Sequence, residues 1–260
     1  MYRLLSIILM AFSCAITFAQ ENCPIMTVHQ QGGRTFHFAV EKVDSITFTT
    51  NKDTLILHYA EGNLWRFAAE KVDSISFGTE EKTNIHESID LGLSVLWAMT
   101  NVGSTAPEGL GGRFAWGETE EKRSFYETNY RFYENEQYTY IGVNICGTKY
   151  DVARLRWGDT WRMPTRSEIR ELTTRCKWTA ETRNSIAGYR VTGPNGNHIF
   201  LPAAGYQNGS APSEVGEGGF YWSGSLDRSM PSAAYNLNFR GYDAEWTANR
   251  SYGFSIRPVR

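Results

Sequence analysis

Residues 157–172 constrain this chain more than any other stretch: Trp157-Gly-Asp-Thr-Trp-Arg-Met-Pro-Thr-Arg-Ser-Glu-Ile-Arg-Glu-Leu172. Aromatic anchors, a stop to an extended run and a strong helix start come together there. Pro164 disfavours helix at Met163, because its ring crowds the preceding backbone. Thr165 stands three residues before Glu168, the spacing at which each side chain satisfies the other's free N–H. Ile169, Leu172 and Cys176 follow at helical spacing and form one apolar face, opposite Arg166, Arg170, Glu171 and Arg175. The pattern predicts one capped helix, wrapped by C-terminal strands whose rings fill a single shared interior.

The first residues carry an address. Arg3 supplies a positive start, residues 4–18 are mostly apolar, and Thr17-Phe18-Ala19 sets small residues where a signal peptidase needs them for a cut after Ala19. Residues 1–19 therefore read as a signal peptide, too short in its apolar part for a membrane-spanning helix. Ala11-Phe12-Ser13-Cys14 loosely resembles a bacterial lipobox, with Ala where Leu is usual, which makes Cys14 a candidate lipidation site. The expected location is secreted or on the outer cell surface, with the periplasm as an alternative. A lipid anchor is the only membrane contact expected. The formal net charge of −2 offers no basic surplus, so nucleic acid is not an expected partner. Cys23, Cys146 and Cys176 remain in the mature chain. An oxidising compartment permits a Cys146–Cys176 bridge, and two buried free thiols are the alternative.

A repeat follows. Gly33-Arg-Thr-Phe-His-Phe-Ala-Val-Glu-Lys-Val-Asp-Ser-Ile-Thr-Phe48 is echoed by Gly62-Asn-Leu-Trp-Arg-Phe-Ala-Ala-Glu-Lys-Val-Asp-Ser-Ile-Ser-Phe77, and Asp44 recurs as Asp73, a period of 29 residues. A period in this range signals repeated supersecondary units. Alternation in each unit reads as strand, Thr54-Leu-Ile-Leu-His-Tyr59 as another, and Glu-Lys-Val-Asp as a tight turn. Residues 24–78 are thus expected to form a small β-hairpin repeat module. Two hairpins bury little, so the module must lean on something else. Residues 79–87 read as a polar linker.

Residues 88–260 are long enough for one further core. Residues 89–98 read as a strand, and residues 120–148, rich in Tyr, as a long irregular insertion. Asp151 caps a short helix before the central one. After that helix, residues 187–192 and 197–201 flank Gly193-Pro-Asn-Gly196, a hairpin loop. Residues 220–225 form a strand. Residues 233–240 alternate, with Tyr235, Leu237 and Phe239 inward and Asn236, Asn238 and Arg240 outward. The fold class expected is α+β and β-rich.

Several pieces keep a shared order: Asp90-Leu-Gly-Leu-Ser-Val-Leu-Trp97, Asn101-Val-Gly103, Phe114-Ala-Trp-Gly-Glu118, Trp161-Arg-Met-Pro-Thr165, Gly188-Tyr-Arg-Val-Thr-Gly193, Leu201-Pro-Ala-Ala-Gly205, Tyr221-Trp-Ser223 and Arg257-Pro-Val259. Together they resemble the Fibrobacter-type major paralogous domain of secreted Bacteroidetes proteins. That resemblance implies a fold like the C-type-lectin-like domains and the formylglycine-generating enzyme: a curved antiparallel sheet with one or two helices and long loops at one end. Members often carry Cys near the Asn101-Val-Gly103 stretch. Met99-Thr100 stands there in this chain, so a bridge from Cys176 would need Cys146. The Val-Asp-Ser-Ile-Thr/Ser-Phe repeat resembles a motif common near the N-termini of secreted proteins of the same bacteria, and Asp44-Ser45-Ile46, Asp53-Thr54-Leu55 and Asp73-Ser74-Ile75 resemble an O-glycosylation signal of that group.

Patterns for chemistry are missing. His37, His58, His86 and His198 lack metal-ligand spacing. Trp222-Ser-Gly-Ser225 lacks the leading glycine of a nucleophile elbow. Gly109-Leu-Gly-Gly112 and Gly216-Glu-Gly-Gly219 lack the Lys-Ser/Thr of a phosphate loop. Gly193-Pro-Asn195 has Gly where a calcium-dependent lectin needs Glu. No catalytic residue, metal or cofactor is expected. Binding remains: Tyr206 and Trp246 to stack, Asp227, Asn238, Arg240 and Asp243 to hydrogen-bond a glycan or protein. The expected role is a secreted or cell-surface, non-catalytic binding module. A formylglycine-generating-type enzyme and a structural or fimbria-associated surface component are the alternatives.

Overall fold

The computed structural model describes residues 23–31, 34–80, 86–158, 160–240 and 243–260. Residues 1–19, the expected signal peptide, lie outside the described residues with Cys14, as do residues 81–85 of the expected linker. Among the described residues no helix is long and apolar enough to cross a membrane.

The repeat builds two interlocked three-stranded sheets. β1 (Cys23–Gln30) and β2 (Arg34–Ala39) form a hairpin, and a 3-10 turn at Val40–Lys42 redirects the chain into β3 (Val43–Phe48). β4 (Thr54–Tyr59), β5 (Asn63–Ala68), the equivalent 3-10 turn at Ala69–Lys71 and β6 (Val72–Glu80) repeat that course. The expected tight turn at Glu-Lys is this corner: the N–H of Val43 returns to the Val40 carbonyl, and that of Val72 to the Ala69 carbonyl. The pairing is reciprocal. One sheet runs β2-β1-β6 and the other β3-β4-β5, so each repeat gives its last strand to the other repeat's hairpin. Inside, Phe38 meets Trp65 at 5.2 Å and Tyr59 at 5.5 Å between ring centroids. Phe48 and Phe77, equivalent under the repeat, are 57% and 58% exposed, so both copies present the same ring to solvent.

The remaining chain is an α+β, β-rich domain. The expected strand at 89–98 is instead a hairpin, β7 (Ser88–Asp90) with β8 (Leu96–Ala98). Gly92 takes a positive φ of 72°, and its N–H donates to Asp90 Oδ1 at 2.7 Å, which closes the reversal. The 120–148 insertion holds one minimal hairpin, β9 (Tyr133–Glu134) with β10 (Gln137–Tyr138), and its own ring cluster of Phe125, Tyr130 and Phe132. α1 (Val152–Trp157) starts at Asp151 as expected: Oδ1 accepts the N–H groups of Ala153 and Arg154, and Oδ2 those of Gly147 and Met163. α2 (Arg166–Arg175) starts with the expected reciprocal cap. Glu168 N–H donates to Thr165 Oγ1 at 3.3 Å and Thr165 N–H to Glu168 Oε2 at 2.7 Å.

β11 (Lys177–Arg183), β12 (Ile186–Thr192) and β13 (His198–Pro202) form one sheet, turning at the expected 193–196 loop. β11 had no counterpart in the sequence reading. β14 (Tyr206–Gln207) and β15 (Pro212–Ser213) fold the next loop on itself. β16 (Gly219–Leu226), β17 (Ala233–Phe239) and β18 (Asp243–Asn249) form the last sheet, with β18 at its edge. Residues 253–260 then thread between elements, bridging Phe254 to Phe114, Ser255 to Tyr221 and Val259 to both Trp97 and Arg162.

The single shared interior divides in two. Ile169 and Leu172 of α2 pack with Tyr221, Leu237 and Phe239 in one cluster, and the repeat module's inner face joins it through Phe38, Leu57 and Trp65. Trp222, Phe220 and Ala234 belong to a second cluster with Trp116, Phe254 and the half-buried Trp157. The β16–β17 ladder separates them, because successive side chains point to opposite faces. The module therefore leans on the domain. Asn63 and Asn197 tie the two: His198 N–H donates to Asn63 Oδ1 at 2.8 Å, and Leu64 N–H to Asn197 Oδ1 at 2.5 Å. Arg183 meets Glu61 at 2.5 Å and Lys42 meets Glu87 at 2.9 Å.

Two arginines in the C-terminal stretch hold distant segments together with no carboxylate partner among the described residues. Arg257, 1% exposed, donates to Asn101 Oδ1 and to the carbonyls of Ala98, Met99 and Phe200. Burial lowers its pKa to about 10, still charged at neutral pH. Arg250 donates to Tyr130 Oη and to the carbonyls of Pro231 and Thr139 while lying over the Trp116 ring. Its contacts pin the 120–148 insertion to the core.

The Cys146–Cys176 bridge is not formed. Both are free thiols. Cys146 packs on the second cluster with its sulfur against Gly224, whereas Cys176 ends α2 beside the first.

Candidate functional site

The polar face of β17 and β18 opens into a cleft of about 260 Å³. Asn236 and Asn238 alternate with the inward Leu237 and Phe239, as the pattern predicted, but the outward side is a cleft floor: Asn236 is 1% exposed and donates to the Trp246 carbonyl at 3.2 Å. Trp246 of β18, paired across from Asn236, stands 52% exposed beside that floor. Tyr206 closes another side, 4.8 Å from Phe220 edge-on and 6.2 Å from Tyr252 in a near-parallel stack. The 206–218 loop forms the wall. Gly205, at a φ of 64°, allows its start: a Cβ there would strike the Ser213 carbonyl.

Charge at this cleft is balanced towards acid. Arg240 reaches Glu214 at 3.0 Å and Glu217 at 3.7 Å, so two carboxylates answer one guanidinium. Glu214 Oε2 is buried and lacks a hydrogen-bond partner among the described residues. An acceptor oxygen, neutral amides and one exposed indole face suit a polyhydroxylated ligand, whose C–H faces stack and whose hydroxyls need both donors and acceptors.

Tyr206, Asn238, Arg240 and Trp246 are thus brought together. Asp227 is not: it lies past the far end of β16, where its Oδ1 accepts Ser229 N–H at 2.9 Å and Ser229 Oγ at 2.7 Å, closing the turn into β17. Those Ser229 hydrogen bonds hold its carboxyl below the ordinary range. Asp243 starts β18 opposite Phe239; its side chain lies outside the described residues. Glu214, Phe220 and Tyr252 were missed. They sit on loops or look like core, and no spacing connects them to β17.

Burial pushes the Cys146 thiol up to about 12 and Cys176 up to about 11, so neither ionises near neutrality. Ser223 Oγ donates to the Tyr235 carbonyl at 2.7 Å, and Ser225 Oγ accepts Arg166 N–H at 3.0 Å. His86 stacks on Trp157 at 3.5 Å, and burial lowers its pKa to about 4. No grouping of metal-ligating side chains occurs among the described residues. In the module, Ser45 and Ser74 of the resembled glycosylation signals are exposed at equivalent positions; Thr54 hydrogen-bonds Asp53 Oδ1 at 3.0 Å.

No family model, no curated protein and no solved structure matches this chain.

Proposed function

We propose that this chain is a secreted or cell-surface protein that binds without catalysis, and that its cleft between β17, β18 and the 206–218 loop takes a neutral glycan. The observation that carries the reading is Trp246: a half-exposed indole lining a cleft with two asparagines and with a Glu214 oxygen that lacks a hydrogen-bond partner among the described residues. Arg240 is already answered by Glu214 and Glu217, so an anionic sugar meets no spare cation here. The domain is proposed as C-type-lectin-like and as a member of the resembled paralogous family. In support, its first hairpin pairs with its last residues, Leu96 with Arg260 and Trp97 with Val259, so the domain closes end to end.

A glycan array probed with the purified protein tests the binding reading. Neutral glycans should give signal that Trp246→Ala and Asn238→Ala each abolish while the fold, read by circular dichroism, is kept. Signal that survives both variants, or silence across the array, overturns it. A second reading, a structural surface component, draws on the matched exposure of Phe48 and Phe77. Concentration-dependent assembly in sedimentation velocity, lost in a Phe48→Ser/Phe77→Ser double variant, would favour it.

A further inference from the structure

A second and larger cleft, about 680 Å³, lies where the repeat module meets the domain. Phe36, Trp65 and Phe67 line one side, and Leu93 of the β7–β8 turn and Leu96 of β8 line the other. The rings are fixed: Trp65 and Phe67 stack with planes 11° apart, and Phe36 abuts Phe67 at 5.2 Å. A volume of this order suits several side chains of a ligand rather than one ordered water.

This cleft fronts the edge of a sheet. β5 is the last strand of the β3-β4-β5 order, so one side of its backbone lacks a neighbouring strand. At Leu64 that side is used: the N–H donates to Asn197 Oδ1, and the carbonyl accepts from Asn197 Nδ2. The Asn197 amide does there what a neighbouring strand's peptide group would do. In an antiparallel ladder, outward groups recur every second residue. Arg66 therefore presents its N–H and C=O on the same edge as Leu64, and neither has a partner on that side among the described residues.

The charges at the cleft have a sign. The Arg66 guanidinium reaches only the Asn195 carbonyl at 3.5 Å, and Arg260 donates to Ser88 Oγ at 3.0 Å while lying over the Trp161 ring. Neither meets a carboxylate among the described residues. Asp90, also at the cleft, has Oδ1 engaged by Gly92 N–H. An incoming carboxylate would find two guanidiniums able to take it in a fork.

We propose that this cleft binds an extended peptide as an added strand on β5, beyond the point where Asn197 caps it, with acidic side chains at Arg66 and Arg260 and apolar ones among Phe36, Phe67 and Leu96. Main-chain hydrogen bonds supply affinity in such strand addition, and alternate side chains supply selectivity. The site is separate from the glycan cleft and does not depend on it.

The test uses the whole protein and fluorescence anisotropy with a labelled Glu/Val alternating octapeptide. Two controls are its Lys/Val counterpart and the acidic peptide N-methylated on alternate residues. The acidic peptide should bind, with each control weaker by about tenfold or more. Arg66→Glu, a change at an exposed side chain, should weaken the acidic peptide by about tenfold or more and favour the lysine one. Trp246→Ala should leave all four results unchanged, which separates this site from the glycan reading. The proposal is overturned if the acidic peptide fails to bind at about 1 mM. Binding indifferent to N-methylation, or to the sign of residue 66, overturns it equally, as does loss of binding in Trp246→Ala.

Discussion

The two faces of the β16–β18 sheet are made from adjacent residues and do opposite things. Towards α2 lie Tyr221, Leu237, Phe239 and Glu245; away from it lie Phe220, Asn236, Asn238 and Trp246. On the first face Phe239 touches Trp178, Tyr189 and Tyr221, and Glu245 Oε1 takes Arg166 at 2.6 Å and Arg170 at 3.1 Å. On the second, the half-buried Asn238 and the half-exposed Trp246 line the cleft. One backbone thus packs under α2 on one side and, on the other, lines a cleft along β17 and β18, with a one-residue step between them. Mutational effects should alternate with the same step.

The sharpest contrast is between Phe239 and its neighbour. Phe239→Ala empties a ring site in the first cluster and should cost about 3–5 kcal/mol in urea unfolding, whereas Asn238→Ala should stay within about 0.5 kcal/mol. Equal costs would break the two-face description. Next comes the helix that covers the packed face. Burial alone would raise the Glu168 carboxyl, but the Arg162 fork and the Thr165 N–H outweigh it and hold it below the ordinary 4.5. A depressed carboxyl contributes stability above its unfolded pKa and loses it as pH falls through the folded one. Glu168→Gln should therefore cost about 1–2 kcal/mol at neutral pH, with the gap closing below about pH 4.5 in thermal melts. A gap that does not change with pH would remove the carboxylate from the account. Glu245→Gln should cost about 1 kcal/mol, less at high salt, because its arginine partners are half exposed. Trp246→Ala, beside it on β18, should shift unfolding by less than about 0.5 kcal/mol. A larger loss would mean that the indole is part of the core.

What could be read ahead of the structure was local. The Thr165–Glu168 cap, the Asp151 cap, the 193–196 turn and the alternation of 233–240 each depend on residues within a few positions of one another. Alternation on β17 was enough to place Asn238 and Arg240 on a common face, and the exposed Trp246 and half-buried Tyr206 met them. Asp227 lies apart from the cleft, and its place could not be read from sequence because a carboxylate beside a turn has the same sequence context whether it caps the turn or faces a cleft. β11 escaped because Lys177–Arg183 is a polar edge strand that follows α2 with no turn residues between. The buried arginines escaped too. Nothing near Arg250 or Arg257 in sequence marks them, since their acceptors come from Pro231, Thr139, Phe200 and Ala98. The divided core had the same cause: alternation assigns a face to each side chain but not the cover over that face.

The strand exchange within the repeat module has a consequence for a broken chain. A protease that cut between Phe48 and Thr54 would separate β1-β2-β3 from β4-β5-β6 in sequence but not in space, because each fragment still clasps the other on both sheets. The severed pieces would travel together until denaturant was added, like two hands gripping each other's wrists.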